Sequence, residues 1–203
     1  MTAKTLSVVT ALLFTYSELA CAQDRPERHG VWVDAALGVG WAHMSSDTLR
    51  GRSQYGVDGI IALGGTFSSH VRAGIGWAQW TTPLGGGRQT WITSYDILLY
   101  YYPIDQRPFF LEAALASIDY SVVHSRGERA DSVYFSGSAW GPTVAVGWDA
   151  SLGGGFSLRP RLSYSYGPPR SLRAPDGTLI ATGWKQHLLS LDVGFVFHPR
   201  DSR

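Results

Sequence analysis

A two-residue repeat of large apolar side chains is the feature that most limits the folds open to this chain. Between Leu189 and Phe197, large apolar residues alternate with small or charged ones, and seven earlier segments show the same pattern. Successive side chains of a β-strand point to opposite faces, so each segment predicts a strand with one apolar face and one polar face. Eight such strands, with acids and glycines opposite the apolar side, predict a barrel whose apolar surface meets lipid.

The connections between the predicted strands alternate in length. We place the strands near residues 30–43, 54–67, 70–82, 90–102, 109–122, 134–151, 156–167 and 184–198. Longer polar stretches follow every second strand, near 44–53, 83–89, 123–133 and 168–183. This pattern predicts an all-β fold, an eight-stranded antiparallel up-and-down transmembrane β-barrel with its long loops outside the cell. Trp184 and Leu188 fall on the inward side, so we expect a bulge or a later start in the last strand.

The alternative is a water-soluble eight-stranded barrel of the lipocalin kind, in which the apolar face surrounds a ligand. Aromatic residues favour the membrane, because they form two rows separated by aliphatic side chains. Amphipathic rings settle at the two interfaces of a bilayer and produce such rows. One row holds Trp41, Trp77 and Trp91, and the other holds Phe67, Tyr101, Phe109, Trp148, Phe156 and Phe197.

Residues 1–22 are predicted to be a cleaved signal peptide. Lys4 gives a basic start, an apolar run follows, and Ala20-Cys21-Ala22 has the form of a cleavage site. The alternative is a lipoprotein signal with Cys21 as the lipidated residue. Residues 23–203 then form one outer-membrane β-barrel domain without cysteine. The formal net charge of +1 gives no basic excess, so we expect no nucleic-acid partner.

The chain resembles the small eight-stranded outer-membrane β-barrel family in its signal, its eight strands, its four long loops and its ending of Leu191, Val193, Phe195 and Phe197. That family includes barrels of the OmpX, Ail and opacity-protein type and the barrel domain of OmpA. The resemblance implies a place in the outer membrane of a Gram-negative cell, among outer-membrane lipid and lipopolysaccharide. It also implies the barrel-assembly machinery as a partner that reads the last strand. The residues from His198 to Arg203 depart from the usual terminal aromatic residue.

Charged residues on the inward face form the first candidate site. An eight-stranded barrel is filled by its own side chains. We therefore expect these charges to form paired networks, because an unpaired buried charge is costly. A narrow ion path or a catalytic cluster is the functional alternative. The candidate lumen residues are Asp34, Asp58, Arg72, Asp96, Glu112, Asp149, Arg159, Arg161 and Asp192.

Arginines of the predicted loops form the second candidate site. A guanidinium binds a phosphate through two hydrogen bonds, which makes lipopolysaccharide or an anionic host surface the expected partner. An ordinary solvated loop is the alternative. The candidate surface contacts are Arg50, Arg52, Arg170 and Arg173.

We predict no catalytic, cofactor or metal site. His124, Ser125 and Glu128 lie too close along one predicted loop for a catalytic triad, which is defined by geometry. The triplets at 85–87 and 153–155 are interpreted as turns, since no helix pattern follows either one. Three further histidines are scattered near strand ends, which does not favour a metal centre: His70, His187 and His198.

The sequence therefore predicts a non-enzymatic outer-membrane barrel with a filled polar core. Its expected role is envelope integrity or surface interaction through the outer loops. Two alternatives stay open. One is an outer-membrane lipid-modifying enzyme of the lipid A deacylase or acyltransferase type, and the other is a narrow ion pore.

Overall fold

Nine β-strands make up the fold, which is seen in a computed structural model that describes residues 30–47, 51–104, 107–126 and 129–199. The predicted signal peptide lies outside the described residues. The strands are β1 (Val31–Ser45), β2 (Arg52–Thr66), β3 (Val71–Gly85), β4 (Arg88–Tyr101), β5 (Phe109–Arg126), β6 (Arg129–Trp148), β7 (Ala150–Gly153), β8 (Phe156–Arg173) and β9 (Leu179–Phe197). Among the described residues, no helix is long and apolar enough to cross a membrane.

The strands close into an antiparallel barrel. Each strand from β1 to β5 pairs with the next one along the chain. β9 pairs with both β1 and β8, and β6 pairs with β8 to complete the ring. The short β7 follows β6 after a break at Asp149 and also pairs with β8. The result is a closed eight-stranded antiparallel barrel, which confirms the predicted fold class.

The two faces of the wall follow the predicted alternation. On β1, Leu37 and Val39 are 73% and 63% exposed, whereas Trp32 and Asp34 are buried. On β9, Leu191 is exposed and its neighbours point into the barrel. The outward apolar side chains form the surface that a membrane barrel presents to lipid.

The two ends of the barrel differ in their connections. The turn end carries the bend at 67–70 and the turn at 154–155, and the hairpin end carries the turns at 86–87 and 174–178. Both glycine triplets have positive φ at every residue. They are therefore turns, as predicted, because glycine adopts this backbone conformation without steric cost.

Three of the hairpins at the hairpin end are longer than predicted. β3 and β4 leave only 86–87 of the predicted loop 83–89, β5 and β6 occupy most of 123–133, and β8 and β9 leave only 174–178 of 168–183. These three loop predictions are therefore wrong in extent. Polar composition predicted loops, but these strands extend into water, where a polar outward face is compatible with a sheet.

The ladder between β6 and β8 is interrupted. No register pairs join residues 137–142 of β6 to residues 166–172 of β8, although pairs form on both sides of this stretch. We call it the seam. A Cβ added to Gly141 would meet the carbonyl oxygen of Tyr166, so the two strands still lie in contact. Three prolines, which have no N–H to donate, lie in the seam: Pro142, Pro168 and Pro169.

The hairpin of β8 and β9 extends far beyond the lipid-facing band. Trp41 of the aromatic row is paired with Leu189, and Leu179 lies ten residues further along β9. At about 3.3 Å per residue and a strand tilt of about 40°, Leu179 stands roughly 25 Å beyond Trp41. The apolar band of a membrane barrel is itself only about 25 Å tall. The tip of this hairpin therefore lies in water.

Candidate functional site

All nine predicted lumen residues are buried inside the barrel. If every group is ionised, six carboxylates face three guanidinium groups. Asp58 and Asp96 lie near the middle of the barrel, whereas the other seven gather toward the turn end. We call these seven the charged layer: Asp34, Arg72, Glu112, Asp149, Arg159, Arg161 and Asp192.

Arg159 is the centre of the charged layer. Its Nε donates to Oδ1 of Asp149 at 2.6 Å, and its Nη2 donates to Oδ2 of the same carboxylate at 3.0 Å. Its Nη1 donates to Oδ2 of Asp34 at 2.7 Å. Asp149 also accepts the Tyr102 hydroxyl at 2.7 Å and Nη1 of Arg72 at 3.4 Å. Two arginines and the Tyr102 phenol thus donate to the Asp149 carboxylate, and Arg159 does so through two parallel hydrogen bonds.

Arg161 forms a second group in the same layer. The alternation of β8 places it on the same inward side as Arg159, with Pro160 between them. Its Nη2 donates to Oε1 of Glu112 at 2.8 Å, and its Nη1 lies 3.5 Å from Oδ2 of Asp192. One guanidinium therefore links carboxylates from β5 and β9. These contacts join strands that are far apart in sequence.

Aromatic rings enclose the arginines. The Arg159 guanidinium lies 4.9 Å from the ring centre of Tyr100 and 4.8 Å from that of Phe110. Arg72 lies 4.8 Å from the ring centre of Tyr102. A cation over an aromatic face is stabilised, and more strongly when it is desolvated. Sequence reasoning missed the roles of Tyr102 and Phe110, although the inward position of Phe110 follows from strand parity.

A small cavity lined by both polar and apolar side chains lies at mid-height, between the charged layer and the hairpin end. The centre of a water molecule has about 30 Å³ available there, and the lining includes Asp58, Asp96, Ser190 and Arg161. Ser94 donates to Asp96 at 3.0 Å. This space suits about two water molecules, since one needs roughly 10–15 Å³ by this measure.

The interior at the hairpin end is apolar. Its buried side chains pack into one cluster, which we call the apolar layer: Ala42, Met44, Trp80, Ile92, Ala116, Ile118, Tyr120, Val122, Leu172, Ala181, Trp184 and Leu188. Trp184 and Leu188 therefore lie inside the barrel. A register shift does occur between Ala181 and Trp184, but it does not turn Trp184 outward, and the predicted later start is wrong because β9 begins at Leu179. The ring centres of Tyr120 and Trp184 lie 4.6 Å apart, so aromatic packing fills this part of the barrel.

Arg170 was predicted as a surface contact, and the structure contradicts this. Its guanidinium is buried, with Nη1 donating to the Ile118 carbonyl at 2.8 Å and Nη2 to Oε1 of Gln186 at 2.6 Å. The register of β8 against β9 shifts between Gly167 and Arg170. That shift turns Arg170 inward, and a loop assignment could not show it.

The other predicted surface arginines have different positions. Arg173 is exposed, and its Nη1 donates to the Gly177 carbonyl at 2.9 Å, which ties it to its own turn. Arg52 is exposed at the start of β2. Arg50 lies outside the described residues. The structure therefore does not gather these four residues into one surface.

Exposed apolar residues, and not the predicted arginines, lie together on the two long hairpins, β5–β6 and β8–β9. Val133 and Tyr134 of β6 are 44% and 45% exposed, and Leu179 and Ile180 of β9 are 50% and 46% exposed. Ser136 pairs with Arg173, which pairs with Leu179, so the two pairs of apolar residues lie on neighbouring hairpins. We call these four residues the hairpin patch.

Metal and triad chemistry receive no support within the described residues. No group of three or more His, Cys, Asp or Glu side chains is placed there to hold a metal ion. The side chains of His124, Ser125 and Glu128 lie outside the described part of the chain. His70 lies at the turn end, and His187 lies on the outer wall.

The comparisons with known proteins concern the fold. No protein-family model and no curated protein matches the sequence. The chain is similar in structure to Neisserial surface protein A, with 18% identity, coverage of 83% of this chain and 96% of the other, and a TM-score of 0.59. It is similar to the outer membrane protein AlkL, with 15% identity, coverage of 90% and 97%, and a TM-score of 0.50. The attachment invasion locus protein Ail of Yersinia pestis gives 12% identity, coverage of 83% and 99%, and a TM-score of 0.48.

The likenesses to Neisserial surface protein A and to AlkL agree with the geometry of the wall. Outward apolar side chains, an enclosed polar interior and antiparallel closure are the features of a membrane-spanning barrel. The chain therefore has the fold of the small eight-stranded outer-membrane β-barrels, as its strand pattern predicted.

Proposed function

We propose that the protein is a non-enzymatic outer-membrane barrel that binds a protein at the cell surface through its two long hairpins. The hairpin patch carries this proposal. Leu179 stands roughly 25 Å beyond the aromatic row, and the patch places four large apolar side chains in water. Clustered exposed apolar residues mark interaction sites.

The filled interior supports a scaffold rather than a pore. The apolar layer packs side chains across the barrel at the hairpin end, and the charged layer does so at the turn end together with buried aromatic side chains. The cavity between them has room for about two water molecules. An eight-stranded barrel has only enough room for its own side chains. We therefore expect no steady ion conductance when the purified protein is inserted into a planar bilayer.

The charged layer also favours a structural role over catalysis. Asp149, the natural candidate for a base, is enclosed by Arg159, Arg72 and the Tyr102 hydroxyl. We expect unchanged lipid A masses in cells with and without the gene. Outer-membrane lipid as surroundings and the barrel-assembly machinery as a partner are part of the same proposal.

The hairpin patch can be tested by adhesion. Bacteria that display the protein are compared with bacteria that display the L179S/I180S variant, for adhesion to cultured cells and for adhesion to one another. We expect the variant to reduce at least one of these two kinds of adhesion by a factor of about five or more, because two apolar side chains that contact the partner are lost. Ala174→Ser, in the adjoining turn, is the matched control. Equal adhesion by all three strains would refute the surface role.

A further inference from the structure

The outer wall at the junction of β1, β8 and β9 carries a group of nitrogen bases. His43 of β1 pairs directly with His187 of β9, with ring centres 6.4 Å apart. Tyr166 of β8 pairs with His187, and its ring centre lies 5.1 Å from that imidazole. Lys185 is exposed two residues further along the same face of β9. We call His43, His187, Lys185, Tyr164 and Tyr166 the wall patch.

The height of the wall patch matches the headgroup region of a bilayer. Trp41 pairs with Leu189, and the pair of His43 and His187 follows two residues further on. This places the imidazoles about 5 Å beyond Trp41. Tryptophan rings settle at the membrane interface. The wall patch therefore faces lipid headgroups, and neither the barrel interior nor the hairpin tips.

Hydrogen bonds hold both imidazoles in place. The Tyr164 hydroxyl lies 2.6 Å from Nδ1 of His187, and the Ser53 hydroxyl lies 2.9 Å from Nδ1 of His43. When a hydroxyl donates to Nδ1, the ring proton resides on Nε2. Each ring then presents an N–H donor for an acceptor from outside. Trp41 stacks on His43 at 6.0 Å and further limits its rotation.

On the opposite wall, the described outward side chains near Trp91 carry no positive charge. They are Gln89, Asp119 and Ser121 of β4 and β5. Arg88 is exposed one residue nearer the hairpin tip, where β4 begins. At the level of the aromatic row in the described wall, Lys185 and the two imidazoles thus lie together on one side, where an anionic headgroup would be favoured.

We infer that the wall patch is a binding site for a phosphate group of lipopolysaccharide. Lys185 supplies a positive charge, and His43 and His187 supply N–H donors that a phosphate oxygen accepts. The tyrosines orient His187. This inference rests on the outer-membrane placement proposed above. The site is separate from the hairpin patch, so each can fail without the other.

Lipid titration of the folded full-length protein in detergent tests the inference. Binding is measured calorimetrically with lipopolysaccharide, with the same lipid after removal of its phosphates, and with inorganic phosphate. We expect the H43Q/K185Q/H187Q variant to bind lipopolysaccharide at least tenfold more weakly than the unaltered chain. The dephosphorylated lipid should bind both proteins equally weakly. His70→Gln, which removes an imidazole at the turn end, is the matched control and should bind normally.

A second variant tests geometry without changing charge. A Cβ added to Gly51 would lie 2.7 Å from both Cε1 and Nε2 of His43, so Gly51→Ala must displace that ring. We expect about threefold weaker binding of lipopolysaccharide. Folding of each variant is judged by the heat-dependent shift in gel mobility. If the triple variant fails to fold, normal binding of lipopolysaccharide by folded Gly51→Ala would overturn the inference.

Three further outcomes would overturn the inference. One is equal binding of lipopolysaccharide by the unaltered chain and a folded triple variant. Another is equal binding of phosphorylated and dephosphorylated lipid by the unaltered chain. The third is competition by millimolar inorganic phosphate, which would indicate a site for free anions. The L179S/I180S variant should keep its lipid binding, so loss of adhesion alone would concern only the hairpin patch.

Discussion

At the turn end, the barrel interior is filled by ion pairs around Arg159 and Arg161 and by the aromatic side chains that enclose them, whereas at the hairpin end aromatic and aliphatic side chains around Trp184 fill it with few charges. The strand period is the same in both regions. The two regions differ in what surrounds the outer face of the barrel. Within the bilayer, apolar side chains are required outside, which leaves polar groups for the interior. Toward the hairpin end the wall leaves the bilayer and meets water, and large apolar side chains fill the interior from the level of the aromatic row onward, as in a soluble protein.

The wall patch lies where this inversion takes place. His43 and His187 are on the outer face just beyond Trp41, and Met44 on the inner face already belongs to the apolar layer. The polarity of both faces therefore changes within a few residues along β1.

The largest expected effect comes from the centre of the charged layer. Arg159→Met would leave Asp149 and Asp34 without their main partner, because both accept from this guanidinium. We expect a loss of about 3–5 kcal/mol in the free energy of unfolding, measured by urea titration in lipid vesicles. Arg173→Met, at an exposed arginine, should change it by less than about 0.5 kcal/mol. Similar losses for both would show that the ion pairs of the charged layer contribute little.

A charge on the outer face should locate the boundary between lipid and water. Leu37→Arg, near the bilayer midplane, should cost about 2–4 kcal/mol of folding free energy in vesicles. Leu179→Arg should cost close to nothing, because that residue already lies in water. Both side chains are exposed in the isolated barrel, which makes the pair well matched. If both changes cost the same, the hairpin does not leave the membrane.

A smaller effect is expected in the apolar layer. Ile118 is buried there, and Ile118→Val removes one methylene group, so we expect a loss of about 0.5–1.5 kcal/mol. Hydrogen exchange should show the loss mainly at the hairpin end. A change that spread evenly to the amides of the charged layer would mean that the two regions unfold as one unit.

The smallest effect concerns the turn between β8 and β9. The amide of Thr178 donates to Oδ1 of Asp176 at 2.9 Å, and this bond lowers the pKa of the Asp176 carboxyl below its usual value. The bond is therefore complete above the usual aspartate range and is lost as pH falls through the lowered pKa. The Thr178 amide shift in NMR spectra should report this transition, with little effect on global stability. Asp176→Asn should abolish the pH dependence, and an unchanged titration in that variant would assign it to another group.

The sequence allowed the membrane-embedded half to be predicted more fully than the rest. Alternation from Leu189 to Phe197 identifies both faces, because one of them must meet lipid. The same alternation is ambiguous where both faces are partly apolar. For that reason Trp184, which lies inside the barrel, was expected to be turned outward. The stretch 168–183 was predicted as a loop from its polar composition, but most of it is strand, and its proline pair at 168–169 lies in the seam.

The membership of the charged layer was predictable, but its pairings were not. Strand parity places Arg159, Asp34 and Asp149 inside. Arg159 and Asp34 are 125 positions apart in the chain, and their contact depends on how the barrel closes. The wall patch was missed because His43 and His187 become neighbours only through the register of β1 and β9. Arg170 was misplaced because a local register shift reverses parity without a clear signal in the sequence.

The seam is the place where the described wall comes nearest to having a sheet edge. A barrel ordinarily has no edge, so it offers no row of unpaired backbone groups to another chain. Along 137–142 and 166–172 the ladder between β6 and β8 is interrupted, although the two strands stay in contact. Pro142, Pro168 and Pro169 cannot donate to an incoming strand. If the two strands separated there, these prolines would hinder pairing with a neighbouring barrel, as prolines do on the outer strands of open sheets.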